Sequence, residues 1–396
     1  MQIGLLGKAN VGKSTFFSAA TETPVQIGNF PFTTIEPNIG VAYVKTDCAC
    51  KHFKVSHQNR LCVHGTRFIP VKLIDIAGLV PGAHEGKGLG NQFLDDARQA
   101  EVLIHVVDIA GSTDIQGQPV PIGTHNPLED VEFVQEEFDK WFEQILEREW
   151  QKLTKEIEQK TTKLVDGIAK RFSGLGVKDY EIQDVLQKLD LLAKKPTEWE
   201  TSDIETFAKE LRKQTKPILI AANKADLCKN LEIINKIQDT KVIPCSAETE
   251  LLLRKASKSG LVDYIPGSNS FTIKEDTQIS SQQKKALDLV HSVFSKIKTT
   301  GIQTALNSVV FDVLKLIVVY PVEDETKFSN KDGEVFPDAR LLTENSTAKD
   351  LAKTIHADIA KGFLHAIDCK TKQRIGADHK LKNGDVIKIV STMSRG

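Results

Sequence analysis

The sequence predicts an α/β fold: a P-loop domain with a helical insertion, followed by a small mixed-sheet domain. Three observations lead to it. Gly7 to Thr15 read G-K-A-N-V-G-K-S-T, between the apolar run Ile3-Gly4-Leu5-Leu6 and a helix expected to start at Ser14; strand, glycine loop and helix in that order form a phosphate cradle. Runs that are apolar on both faces recur at Val102–Asp108 and Pro217–Ala222, as parallel strands covered by helices require. Beyond Ile297 the composition shifts to short strands and turns around one amphipathic helix, Ala348–Ala360.

The loop comes first in the chain. Gly7 and Gly12 let the backbone curl so that several N–H groups face a polyphosphate, and the helix dipole adds positive potential there. Asn10, Val11, Gly12, Lys13, Ser14 and Thr15 form the cradle. Lys13 reaches the terminal phosphates, and the Ser14 hydroxyl is suited to Mg²⁺. Next comes Phe30-Pro31-Phe32-Thr33-Thr34-Ile35-Glu36-Pro37, in which two prolines bar a regular helix. A threonine hydroxyl in such a segment completes a Mg²⁺ shell when a γ-phosphate is present. Thr34 is expected to be that ligand, with Thr33 the second choice.

Val71–Ile74 reads as a strand that delivers Asp75-Ile76-Ala77-Gly78. In this D-x-x-G arrangement the Asp holds Mg²⁺ through water, and the Gly N–H meets the γ-phosphate. Residues 79–90 hold four glycines, as in a switch loop ordered by nucleotide. The strand ending at Ala222 delivers Asn223-Lys224-Ala225-Asp226. A carboxylate at Asp226 accepts from guanine N1–H and its exocyclic amine together, and adenine lacks that pair of donors. Asn223 would tether this loop to the glycine loop, and the Lys224 stem would lie over the base. Lys241–Cys245 is another strand, followed by Ser246-Ala247-Glu248, where the Ala247 N–H is expected to meet guanine O6.

Composition bounds the rest. A chain of 396 residues exceeds one ordinary core. Its hydrophobic share of 40% and charged share of 27% are those of a globular protein, and no run spans a bilayer. The first strand begins almost at Met1, which leaves no room for a cleavable leader; a cytoplasmic location without membrane partners is expected. A formal net charge of −1 does not announce a nucleic-acid binder. Six cysteines in such a chain make no disulfide framework.

The residues that carry a family resemblance are Asn10–Thr15, Asn29–Thr34, Asp75–Ala83 and Gly88-Leu89-Gly90-Asn91. Through them the chain resembles a GTPase of the Obg family, in the YchF-like branch, which implies a Ras-like P-loop NTPase domain and slow hydrolysis of GTP to GDP as a molecular switch. Many YchF proteins have an altered guanine motif and are associated with ATP. The full Asn223–Asp226 motif here favours GTP, with an ATPase or a nucleotide-gated scaffold as the alternatives. Leu79 stands where Ras-like enzymes use a glutamine to orient water. The catalytic set is therefore expected to comprise Asn10, Lys13, Thr34 and Gly78, with Asn10 either holding K⁺ against the phosphates or only bracing the loop. His84 is either a water-positioner or a solvated loop residue.

Three further stretches complete the chain. Cys48, Cys50, His52, His57, Cys62 and His64 cluster in sequence. Cys48, Cys50, Cys62 and His64 in C-x-C and C-x-H spacing could ligate a structural Zn²⁺; a disulfide and unliganded thiols are the other readings. From Asn126 to Lys213 apolar residues recur at helical spacing (Val131, Val134, Phe138, Trp141 and Ile145; Trp150, Leu153, Ile157, Leu164 and Ile168), and Tyr180–Ala193 is a further helical segment. This predicts a helical insertion projecting as a hairpin. Leu314–Tyr320, the turn at Lys331-Asp332-Gly333, the helix and Leu381–Val390 fit a small mixed sheet. With Ala377–Leu381 and Gly384–Ile387 it resembles the TGS domain, a β-grasp fold, whose likeness implies contact with RNA or regulatory ligands; a switch docking on the ribosome or tRNA through the TGS and helical regions is the expectation. The expected layout is a GTPase domain of residues 1–125 and 214–300, an insertion of 126–213 and a TGS domain of 313–396, in a monomer.

Overall fold

The computed structural model describes residues 1–22, 38–76, 96–275 and 279–393. They form two compact units. The first comprises the described residues of Met1–Glu22, Phe32–Val41 and Lys72–Ala305; the second comprises those of Ala42–Val71 and Leu306–Gly396. Two strands, β2 (Ile39–Asp47) and β4 (Thr66–Asp75), contribute residues to both.

In the first unit β1 (Gln2–Leu6) pairs in parallel with the Lys72–Asp75 end of β4 and with β5 (Val102–Asp108). β6 (Ile218–Asn223) and β7 (Val242–Pro244) extend the parallel order beyond β5. β5 and β6 are buried along their whole length, which explains why both are apolar on both faces apart from His105 and the polar residues at their ends. Gly4 stands between Ile74 and Leu103 in register. A Cβ there would come within 2.7 Å of the Ile76 side chain, so only glycine lets the strand pack this closely. The carboxyl ends of β1, β4, β5, β6 and β7 deliver the glycine loop, Asp75, Asp108, Asn223 and Ser246 to one edge, where open α/β sheets place their ligands.

The insertion is helical, but its helices are layered on the sheet rather than projecting as a hairpin. The long helix Pro127–Glu147 starts with Asn126 as N-cap, its side chain accepting from the Leu128 N–H, and with proline in the first turn. It packs against the helix Thr201–Thr215. Phe138, Trp141, Phe142 and Phe207 share one core with Leu6, Ile74 and Leu103 of the sheet. The apolar period from Trp150 to Ile168 is not one helix: Trp150–Glu158 and Leu164–Arg171 are separate. Between them Lys160 is left-handed at φ 56°, and the Thr161 hydroxyl donates to Glu156 O at 2.8 Å, competing with helix continuation. The reversal packs Gly167 against Leu153. The Ser281–Ile297 helix forms as expected.

The second unit holds the β-grasp sheet. β10 (Leu316–Val322) pairs in parallel with β14 (Asp385–Ser391) and antiparallel with β11 (Arg340–Thr343). β12 (Phe363–Asp368) and β13 (Gln373–Ile375) complete the order 11-10-14-12-13. Leu351 of the crossing helix packs with Val319, Ala366 and Ile387. That helix stops at Ile355, where His356 is extended and its Nδ1 accepts from the Asp358 N–H to start a second short helix, Ala357–Lys361. Residues 42–71, placed with the first domain on sequence grounds, cluster here. Arg67 Nη1 and Asn59 Nδ2 donate to Phe336 O at 3.0 and 2.9 Å, and the Tyr320 hydroxyl donates to Asp47 O at 3.2 Å. Among the described residues no helix is long and apolar enough to cross a membrane.

Candidate nucleotide site

The glycine loop is fixed by its backbone. Gly7 has φ 151° and lies so near β5 that a Cβ would meet Val106 O at 2.5 Å; Gly12 has φ 90°, where a Cβ would meet Asn223 Nδ2 at 2.3 Å. The helix that follows, Lys13–Thr21, has no side-chain cap and no acidic residue in its first turn. Its leading N–H groups and dipole thus meet no capping side chain or first-turn carboxylate, an arrangement suited to an anion. An open cleft of about 760 Å³ lies beside it, lined by Asn10, Lys13, Ser14 and Thr15 on one side and by Asn223, Lys224, Asp226, Ser246, Ala247 and Glu248 on the other. The predicted phosphate loop and the predicted base loops therefore share one pocket.

Asn223 joins them. Its Nδ2 donates to Val11 O at 2.9 Å, and its Oδ1 accepts the Ala247 N–H at 3.0 Å. The tether to the glycine loop agrees with expectation. The Ala247 N–H is engaged by Asn223, so meeting a guanine O6 requires that bond to be shared. Lys224 is left-handed at φ 58°, and its Nζ donates to Asp108 at 2.9 Å and to Ser112 at 3.1 Å. Asp108 is fully buried and also accepts from the Ala110 N–H at 3.1 Å. This carboxylate aligns the lysine stem along the cleft. Asp226 is half-buried, and its backbone carbonyl accepts from Lys296 at 2.8 Å.

At the phosphate end Lys13 is ion-paired with Asp75. The charges expected to face phosphate and Mg²⁺ are thus direct neighbours, and this ion pair has to open for a metal and a phosphate to enter between them. Asn10 is left-handed at φ 61° and donates through Nδ2 to Gly117 O at 2.9 Å. Thr33, Thr34, Gly78, Leu79 and His84 lie outside the described residues.

Sequence reasoning missed Lys8. It has the look of a second phosphate lysine, yet it is 5% exposed and turned inward. Its Nζ donates to Asp130 at 2.8 Å and to Thr113 O at 3.1 Å, and His125 Nε2 lies 2.9 Å from the same carboxylate. This network anchors the glycine loop to the Pro127–Glu147 helix. Asp108 and Ser112 were missed as well; the signal for Asp108 was an acid closing an otherwise apolar strand. Nearby on β5, burial holds the His105 imidazole down at about 3, helped by the Lys8 charge.

In the second unit the cysteine–histidine set resolves differently from its spacing. Cys48, Cys50, His57 and Cys62 converge; His64 stands in the turn after β3 (Cys62–Val63) with φ 48° and does not join them. The cysteines are free. Burial pushes the Cys48 thiol up to about 12, raises Cys62 and lowers His57.

Residues 2–139 match the family described as 50S ribosome-binding GTPase, residues 221–324 the Obg-like GTPase YGR210-like, G4 motif-containing domain, and residues 328–391 the TGS domain. An uncharacterized GTP-binding protein of Methanocaldococcus jannaschii is 46% identical over 395 residues, covering 98% of each chain. The crystal structure of a GTP binding protein from Pyrococcus horikoshii superposes with a TM-score of 0.78 at 40% identity, over 99% of this chain and 100% of that one. The Schizosaccharomyces pombe YchF GTPase shares the fold, with a TM-score of 0.58 at 20% identity over 98% and 97% of the two chains.

Proposed function

The chain belongs to the Obg family of GTP-binding proteins, in its YchF-like branch with a TGS domain, and on that footing we propose that it hydrolyses GTP slowly as a cytoplasmic switch. The observation that carries the choice of base is the Asn223–Asp226 loop, bonded through Asn223 to the glycine loop in one cleft. Asp226 reads the guanine edge, and Lys224, aligned by Asp108, covers the base. Lys13 and the loop N–H groups grip the β- and γ-phosphates. Ser14 and Asp75, with Thr34, would hold a Mg²⁺, which would supply neutralisation of charge on the transferred phosphoryl group. The Gly78 N–H meets the γ-phosphate. Leu79 cannot orient water, so hydrolysis is slow without help. Asn10 offers its side-chain oxygen to K⁺, since its nitrogen is engaged by Gly117. The TGS domain and the 50S-binding description of the matching family support a ribosome or tRNA as the partner.

Competition between GTP and ATP for the purified chain tests the base assignment. GTP is expected to win by orders of magnitude, because ATP leaves the Asp226 carboxylate unpaired. Equal displacement by both would sink this reading and favour an ATPase. Hydrolysis is expected to be faster in K⁺ than in Na⁺; identical rates remove Asn10 from that role. A hydrolysis-blocked variant that keeps full cellular function would identify the scaffold alternative.

A further inference from the structure

Outside the nucleotide cleft, one group of side chains has a geometry that calls for a metal. Cys48 precedes the short helix Ala49–Phe53, Cys50 lies within it, Cys62 opens β3, and His57 comes from the segment between. The sulfurs of Cys50 and Cys62 are 3.9 Å apart, and Cys48 Sγ is 3.5 Å from His57 Nε2. All four ligand atoms lie within 4.8 Å of one another. A tetrahedron around Zn²⁺, with Zn–S near ~2.3 Å and Zn–N near ~2.0 Å, has edges of roughly 3.5 to 3.8 Å. The observed pairs meet that size. They do not meet a disulfide, whose sulfurs sit ~2.05 Å apart.

We propose that Cys48, Cys50, His57 and Cys62 form a closed, structural Zn²⁺ site of the three-thiolate, one-imidazole type. Four protein ligands leave no open position for substrate, so the role is to hold the segment together. The segment needs such a clasp: it has a five-residue helix and a two-residue strand. The helix start is already tied to the turn after β3 by the Cys48 N–H donating to Gly65 O at 2.9 Å. The surroundings fit the charge. Zn²⁺ with three thiolates is net anionic, and Arg67 stands opposite Cys62 in register. Arg67 is 1% exposed and has a buried Nε without a hydrogen-bond partner. The Phe336 ring, 5.8 Å from the His57 ring and edge-on, shields the imidazole. As placed, His57 Nδ1 accepts from the Asn59 N–H at 3.3 Å; ligation through Nε2 puts the proton on Nδ1 and releases this long contact. The fourth ligand is His57, not the His64 that C-x-H spacing suggests.

The test uses the untagged full chain, expressed with Zn²⁺ available and purified without chelator. Mass-spectrometric metal analysis is expected to find one zinc per chain. Replacement by Co²⁺ is expected to give tetrahedral d–d bands with thiolate charge transfer, and this readout on the unaltered chain decides the matter even if a variant fails to fold. His57→Ala and Cys50→Ser are expected to lose the metal, and His64→Ala to keep it. Substoichiometric zinc with no tetrahedral Co²⁺ spectrum overturns the site. So does an intact mass short of two hydrogens together with a cross-linked Cys50–Cys62 peptide on digestion, and so does iron in place of zinc. Metal loss in His64→Ala with retention in His57→Ala overturns the ligand set.

Discussion

In the proposed function, base choice turns on Asp226, which lines the cleft. Replacing its carboxylate by an amide, Asp226→Asn, turns one acceptor into a donor and mismatches guanine N1–H and the exocyclic amine. One hydrogen bond is lost to a donor–donor clash and the other loses its charge assistance, so GTP affinity is expected to fall roughly 100-fold or more. Xanthine carries a carbonyl where guanine carries its amine, so XTP is expected to gain affinity in the same variant; a titration with both nucleotides checks it. His105 makes a second prediction, about pH. Burial keeps it neutral in the fold with a pKa of about 3, against an unfolded value near ~6.5. As pH falls below ~6.5 the unfolded chain takes up a proton that the folded chain refuses, so stability is lost by about 1.4 kcal/mol per pH unit down to about 3. Denaturant titrations of His105→Leu are expected to show a shallower acid limb by that slope.

At the scale of elements, the strands and the loops at their carboxyl ends were legible, because each joins an apolar run to a short motif with local chemistry. The β5 range Val102–Asp108 coincides with its apolar run. What was not legible were interruptions that leave the apolar period intact. Trp150 to Ile168 keeps helical spacing across the left-handed Lys160, and Ala348 to Ala360 keeps it across the extended His356. In both, a side chain bonding to nearby backbone wins over propensity. His64 misled for a related reason: β3 ends at Val63, so the alternation that would align His64 with Cys62 stops one residue early. The close approach of the two insertion helices gives a prediction. A Cβ at Gly167 would meet the Leu153 side chain at 2.3 Å, so Gly167→Ala is expected to cost about 1–3 kcal/mol by overpacking. Urea unfolding followed by tryptophan fluorescence reads it, since Trp150 and Trp199 lie in the same core, 4.8 Å between rings.

For the whole molecule, the sequence announced the order of domains but not their membership. Residues 42–71 cluster with the C-terminal residues through bonds such as Asn59 to Phe336, 277 positions apart, and no local pattern records a pairing at that distance. The described residues that line the candidate nucleotide cleft, by contrast, all fall in the first unit. GTP with Mg²⁺ at ~100 times its dissociation constant is therefore expected to stabilise that unit by about 2.7 kcal/mol. Calorimetry should show its transition rising with nucleotide concentration, and a transition indifferent to GTP would contradict the placement of the site. One side chain in this unit has a wider consequence. The Asn223 amide spans two partners, Val11 O and the Ala247 N–H, so a ligand fragment at either end stiffens the grip on the other. Guanosine and pyrophosphate offered as separate molecules should then bind synergistically, each raising the affinity of the other, and Asn223→Ala should make their binding energies simply additive.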